Sequence, residues 1–124
     1  VDTSNLVSVL IVDDAAFSRR MLRKYVEAEG CTVLEATNGQ EALEMVSQHQ
    51  PDCIFVDLLM PNIDGFQFLQ KLREEGCAIP VAIVSADIQD SSRQRGLELG
   101  AAAFLNKPAK EAEVRQTVQQ LLQC

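Results

Sequence analysis

The sequence predicts an α/β domain built on a doubly wound, five-stranded parallel sheet with five helices. Two observations carry that prediction. Five short runs rich in β-branched and apolar residues alternate strictly with longer segments of helical apolar spacing, the pattern of repeated strand–helix units. The strand-like runs are also nearly continuous in apolar residues, as in Val9-Leu10-Ile11-Val12, which suits strands buried on both faces. Right-handed crossovers then wind the units into an open sheet with helices on either side. The common order for such sheets, 2-1-3-4-5, is taken over from that class of fold and not from these residues.

The first strand is read at residues 7–12. The helix after it carries Phe17, Met21, Leu22, Tyr25 and Val26 on one stripe, with Gly30 at a C′ position. A second strand at 31–36 leads to a helix marked by Ala42, Leu43 and Val46, which follows Gly39 and ends before Pro51. The third strand, 53–57, precedes a helix carrying Phe66, Leu69 and Leu72 and closed by Gly76. After a fourth strand at 81–85 the helical segment, about 89–99, has a different character. From Gln89 to Gly96 it contains no apolar residue, so it can bury little and should be the least stable of the five. A strand at 102–106 and a helix carrying Val114, Val118, Leu121 and Leu122 complete the pattern. No linker-like, low-complexity or duplicated stretch interrupts it, so residues 1–124 read as one domain.

The charge narrows the function. With 18 acidic and 11 basic side chains the net charge is −7, which argues against direct binding to nucleic acid or to an anionic membrane, since both need a basic face. A spanning helix needs about 20 apolar residues, and no such run occurs, so membrane insertion is not expected. Residues 1–5 lack the basic start and apolar stretch of a signal peptide. The four cysteines, Cys31, Cys53, Cys77 and Cys124, form no Cys-x-x-Cys pair and stand with a single histidine, His49. They read as reduced thiols of a cytoplasmic protein, with Cys124 exposed at the end of the chain.

Ligands of doubly wound sheets bind beyond the carboxyl ends of the strands, so the residues at those ends decide the chemistry. The first strand ends in Asp13-Asp14, the third in Asp57, the fourth in Ser85, and the fifth in Asn106-Lys107-Pro108. Strands lie ~4.8 Å apart, which places the aspartates about one strand from each other and Ser85 about one strand to the other side. Lys107 starts two strands from Asp57, within reach of its four-carbon stem. Taken singly, Asp14 reads as a cap for the helix after it, Ser85 as a cap for its own, and Lys107 as a solvated loop lysine. Asp57 has no such task before Leu58-Leu59-Met60-Pro61. Carboxylates 5 Å apart repel by ~3 kcal/mol at an effective dielectric near 20, so the cluster either raises its pKa values or holds a cation. An all-oxygen donor set suits Mg2+. With Mg2+ and Lys107 offsetting the charge of a phosphoryl donor, Asp57 could attack phosphorus while Ser85 hydrogen-bonds a phosphoryl oxygen, giving an aspartyl phosphate.

These motifs resemble the receiver domains of two-component response regulators. The likeness covers essentially the whole chain, through Val9-Leu10-Ile11-Val12-Asp13-Asp14, the stretch Asp57-Leu58-Leu59-Met60-Pro61-Asn62-Ile63-Asp64-Gly65, Ser85-Ala86, and Phe104-Leu105-Asn106-Lys107-Pro108. It implies a flavodoxin-like fold and a phosphoacceptor switch rather than an enzyme acting on other substrates. Asp57 would be the phosphoacceptor, supplied by a histidine kinase. Asp14, Asp57 and the backbone carbonyl of Leu59 would bind Mg2+ directly, and Asp13 through water. Lys107 would pair with the phosphate, and the Lys107–Pro108 bond would be cis. Ser85 and Phe104 would be the switch pair, with helix 4, strand 5 and helix 5 as the face that controls a downstream effector.

Some positions depart from the commoner family pattern. Phe104 lacks the hydroxyl of a tyrosine. Ala109 follows Lys107-Pro108 where a large aromatic is frequent, which leaves its packing against helix 5 open. Leu59 and Asp87 stand where the family tunes dephosphorylation. The stretch Asp13–Leu22 resembles stand-alone chemotaxis receivers; the alternative is a receiver cut from a longer transcriptional or enzymatic regulator. A flavodoxin-like electron carrier would need a phosphate-cradling loop where the chain has Asp13-Asp14-Ala15-Ala16, and no Gly-x-Gly-x-x-Gly or Walker loop occurs. An aspartate-nucleophile phosphatase would need a second acid where Ala15 stands.

Overall fold

The computed structural model describes residues 7–87 and 89–122. The elements run β1 (Ser8–Val12), α1 (Ala16–Glu27), β2 (Thr32–Ala36), α2 (Gly39–His49), β3 (Cys53–Asp57), α3 (Gly65–Glu74), β4 (Val81–Ser85), α4 (Asp90–Glu98), β5 (Ala103–Asn106) and α5 (Glu111–Leu122). All strand pairings are parallel, in the order β2-β1-β3-β4-β5. The strands differ from the sequence reading only by a residue at the starts of β1, β2 and β5. Cys124 and residues 1–5 lie outside the described residues; Cys31, Cys53 and Cys77 are free thiols. Among the described residues no helix is long and apolar enough to cross a membrane.

Period-two alternation divides the strands between two cores. Leu10, Val12, Ile54, Val56 and Ile83 face one side, where they meet Ala42, Val46, Phe66, Leu69 and Leu72 of α2 and α3. Val9, Ile11, Phe55, Ala82 and Val84 face the other and meet Leu22, Val26, Val114, Val118 and Leu121 of α1 and α5. Burying such side chains stabilises by ~1.5–3 kcal/mol each, which makes these helices integral to the sheet. The stripe read on α1 needs one correction. Leu22 and Val26 are buried, but Phe17 is 72% exposed. It sits in the first turn of α1, beyond the last residue of β1, where the sheet no longer covers the helix.

Three helix ends show local determinants. Asp64 caps α3 in a reciprocal box: its carboxylate accepts the Gln67 amide at 2.8 Å, and the Gln67 side chain accepts the Asp64 amide at 2.9 Å. Asn38 caps α2 by accepting the Glu41 amide. Arg73, in the last turn of α3, donates to the carbonyls of Cys77 and Ile79 and, across the loop, to that of Gly100 just after α4.

α4 is held differently. Its one buried residue is Gly96, and Leu97 is 46% exposed. Arg95 lies 4.4 Å over the Phe66 ring, a cation–π contact with α3. A Cβ added at Gly96 would come within 2.8 Å of the Ile83 Cδ1 methyl, the movable end of a side chain. Alanine there gains ~1 kcal/mol of helix propensity, which offsets the displacement of that methyl. Gly96→Ala should therefore leave the urea midpoint close to wild type; a loss above ~2 kcal/mol would mean that Ile83 cannot yield.

Candidate functional site

The register of the sheet assembles the site. Val12 is opposite Val56, so the residues that follow them, Asp13 and Asp57, leave adjacent strands side by side. Asp57 is opposite Val84 and Ser85 is opposite Asn106, which carries Lys107 to the same rim. The Lys107 amide donates to the Ser85 carbonyl at 2.8 Å. From there the Lys107 side chain reaches back across β4. Its Nζ lies 2.9 Å from Asp13 Oδ2 and 3.1 Å from Asp57 Oδ2. The Lys107–Pro108 peptide bond is cis.

Asp13 is fully buried and Asp57 is 6% exposed, while Asp14 is exposed. Each of the three offers a carboxylate oxygen, and these oxygens lie within 4.8 Å of one another. At that spacing each pair repels by ~3 kcal/mol at an effective dielectric near 20. Burial pushes the Asp57 carboxyl above its ordinary range; Lys107 opposes the shift, and the charge of Asp13 adds to it. Burial works against the Lys107 ammonium, yet its hydrogen bond to Asp13 and the charge of Asp57 together raise it above the usual lysine value. The pocket thus concentrates negative charge that one lysine offsets in part. A cluster of hard oxygen donors open on the Asp14 side fits a small divalent cation such as Mg2+.

The other residues singled out by sequence take defined places. Asp14 does not cap α1. That helix begins at Ala16 without a side-chain cap, and the Ala15 amide donates instead to Asp13 Oδ1 at 2.9 Å. Leu59 is 60% exposed at the rim, and its amide donates to Asp57 Oδ1 at 3.3 Å. Ser85 is fully buried, and its hydroxyl oxygen accepts the Asp87 amide at 3.0 Å. Asp87 in turn accepts the Gln89 amide at 2.9 Å and the Ser92 hydroxyl at 2.5 Å, which ties the end of β4 to the first turn of α4. Those two bonds hold the Asp87 carboxyl below the ordinary range, Ser92 contributing most. Phe104 is turned inward, 7% exposed, with its ring 3.5 Å from the position of a Cβ on Gly96. Ala109 packs against the α1–α5 core, and an apolar cleft of about 450 Å3 runs beside it, lined by Phe17, Met21, Tyr25 and Lys107.

Two residues of the site's support were not read from the sequence. Arg19 donates from Nη1 to the Asp13 carbonyl at 2.8 Å and from Nε to Glu35 Oε1 on β2 at 2.9 Å. The same Glu35 also pairs with Arg23. Helical side chains slant toward the N-terminus, so an arginine in the first turns of α1 is placed to reach the strand end before it. That signal was available; the Glu35 partner depends on the register Ile11–Glu35 and was not.

This five-stranded parallel fold, with acids at the carboxyl ends of its strands, is that of the signalling receiver domains. The family model described as response regulator receiver domain matches residues 9–119, and the chain belongs to that family. It is similar to the transcriptional regulatory protein SrrA of Staphylococcus aureus, 40% identical over 114 residues, which are 92% of this chain and 47% of that protein. The chain thus spans about half the length of the curated relatives it matches. Among solved structures, a putative response regulator from Chloroflexus aurantiacus superposes with a TM-score of 0.90 at 30% identity, over 95% of this chain and 98% of that one. The chemotaxis protein CheY4 of Vibrio cholerae gives 0.87 at 28% identity, over 94% and 99%.

Proposed function

We propose that the protein is a phosphorylation-dependent signalling switch in which Asp57 accepts a phosphoryl group from the phosphohistidine of a histidine kinase. The observation that supports this most is the shared ammonium: Lys107 touches Asp13 and Asp57 at once, beside the exposed Asp14. Asp14, Asp57 and the Leu59 carbonyl would hold Mg2+, with Asp13 acting through water. Bound there, Mg2+ would neutralise charge on the phosphoryl oxygens. An Asp57 carboxylate oxygen forms the new bond to phosphorus. The phosphorus–nitrogen bond of the donor breaks, and its electron pair leaves on the imidazole nitrogen. Lys107 transfers one of its contacts from Asp57 to a phosphoryl oxygen, keeping Asp13 as its anchor. Incubation with acetyl phosphate and Mg2+ should add the mass of one phosphoryl group, removed by hydroxylamine. A wild-type protein that gains no mass would overturn the reading.

The switch is proposed to run through Ser85. Donating to a phosphoryl oxygen draws its hydroxyl away from the Asp87 amide, and Asp87 is what clasps the start of α4. With little burial of its own, α4 is the helix whose population a small free energy can move. Phe104 lies directly under it, so the α4–β5–α5 face is the proposed surface for the downstream effector. Beryllium fluoride with Mg2+ should shift amide signals in residues 89–104 more than in α2; equal responses would sink that output face.

Two readings of the output rest on specific likenesses. The match to nearly all of CheY4 supports a stand-alone, chemotaxis-like switch acting on a protein partner. The higher identity to about half of SrrA supports a receiver that regulates transcription, with DNA contacted by another part of the protein.

A further inference from the structure

We propose that Arg19 is a positioning residue for the Mg2+ site, holding the Asp13-Asp14 turn in the shape that brings three carboxylates together. The inference rests on the Mg2+-dependent reading above. Every polar atom of Asp13 is engaged. Its amide donates to the Ala36 carbonyl at 3.1 Å, Oδ1 accepts the Ala15 amide, and Oδ2 accepts Lys107. The remaining atom, the carbonyl oxygen, accepts Arg19. Arg19 is mostly buried, with 19% of its side chain exposed, and Glu35 fixes its guanidinium from the strand on the far side of β1. One planar group therefore bridges β2 and the β1–α1 turn, two hydrogen bonds locked in one geometry.

The peptide plane that Arg19 grips is the one joining Asp13 to Asp14. Its orientation sets where the exposed Asp14 carboxylate points relative to Asp57. Without that grip, the turn can relieve the repulsion among the three carboxylates by letting Asp14 swing outward. The cation would then meet a splayed donor set and would itself have to gather it.

Charge and position predict opposite signs here, which makes the idea testable. Removing a positive charge near a cation site should, by charge alone, tighten Mg2+ binding. Loss of positioning should weaken it, by about tenfold on the scale seen for residues that orient metal ligands. The experiment is a Mg2+ titration followed by amide chemical shifts in wild type, Arg19→Met, Arg19→Lys and Arg23→Met. Arg23 shares Glu35 but has no contact with Asp13, so it controls for the loss of an arginine from the same network. The expected result is about tenfold weaker binding in Arg19→Met, near wild-type affinity in Arg23→Met, and partial recovery in Arg19→Lys, which keeps the donor and the charge. Equal or tighter binding in Arg19→Met overturns the proposal, as does equal weakening in Arg23→Met. A wild type that shows no response to Mg2+ would instead bring down the metal reading and this inference together. Arg19→Gln replaces Arg19→Met should the latter not fold, because one amide cannot span Glu35 and Asp13, and the same weakening is expected.

Discussion

Asp57→Asn should take up no phosphoryl group from acetyl phosphate and Mg2+, and at neutral pH it should unfold at a higher temperature than the wild type. The first effect is the loss of the nucleophile. An amide oxygen is a poor nucleophile, and neither Asp13, wholly buried and engaged by Lys107 and the Ala15 amide, nor the rim residue Asp14 replaces it. A variant that still gains phosphoryl mass would move the acceptor elsewhere.

The second effect follows from linkage. The folded Asp57 carboxyl titrates above its ordinary value, with burial as the chief cause. A group raised on folding binds its proton more tightly in the native state. The native state is therefore favoured at low pH and loses stability as pH rises from the ordinary carboxylate range through the raised value. Each unit of such a shift is ~1.4 kcal/mol. Asparagine carries no charge to desolvate, and Lys107 retains Asp13. The stability gain of Asp57→Asn should thus be greatest above the raised value, shrink as pH falls through it, and vanish below the ordinary carboxylate range. Thermal midpoints across pH for both proteins check it; a variant less stable than wild type at pH 7 would show that Lys107 more than offsets the burial of Asp57.

Gly65→Ala should cost ~3 kcal/mol and disturb Asp57, the proposed phosphoacceptor, at the same time. A Cβ on Gly65 would stand 2.8 Å from the Asp57 carbonyl oxygen and 2.8 Å from Leu58 Cα. Both are backbone atoms, held by the ladder to β4 and by the Gly65 amide donating to the Leu58 carbonyl at 2.9 Å. Nothing there can rotate aside, unlike the Ile83 methyl that faces Gly96. The added methyl must push the start of α3 off the end of β3, and the Asp57 main chain moves with it. Urea unfolding should show the loss, and the rate of phosphoryl uptake should fall alongside it. A midpoint near wild type would mean that the loop between β3 and α3 is far more compliant than its contacts imply.

What could be read from the sequence follows from how local each cause is. Strand–helix alternation was legible because burial on both sheet faces writes itself into continuous apolar runs such as Ile54-Phe55-Val56. The order of the strands was not written in any run; it came from the class of fold. Asp13, Asp57 and Lys107 were legible because each closes a strand, and parallel strands place their carboxyl ends on one rim. Phe17 was misplaced for a complementary reason: spacing identifies a helix face, but not where the sheet beneath it stops. The Asp64–Gln67 box carries a recognisable local signature. Glu35 does not, since an acid in the middle of an edge strand gains its meaning only from the neighbours that register supplies.

The grip of Arg73 on the Gly100 carbonyl bears on how α4 can move. One end of that helix is fastened to α3 by a guanidinium that also closes α3's own terminus. The opposite end is tied through the single side chain of Asp87. The two ends of α4 are thus anchored by different elements, the Leu99 end by Arg73 of α3 and the Asp90 end by Asp87 after β4. On the proposed switch, a tilt of this helix should be largest around Asp90 and fall toward Leu99, so a partner that reads it should contact the Asp90 end.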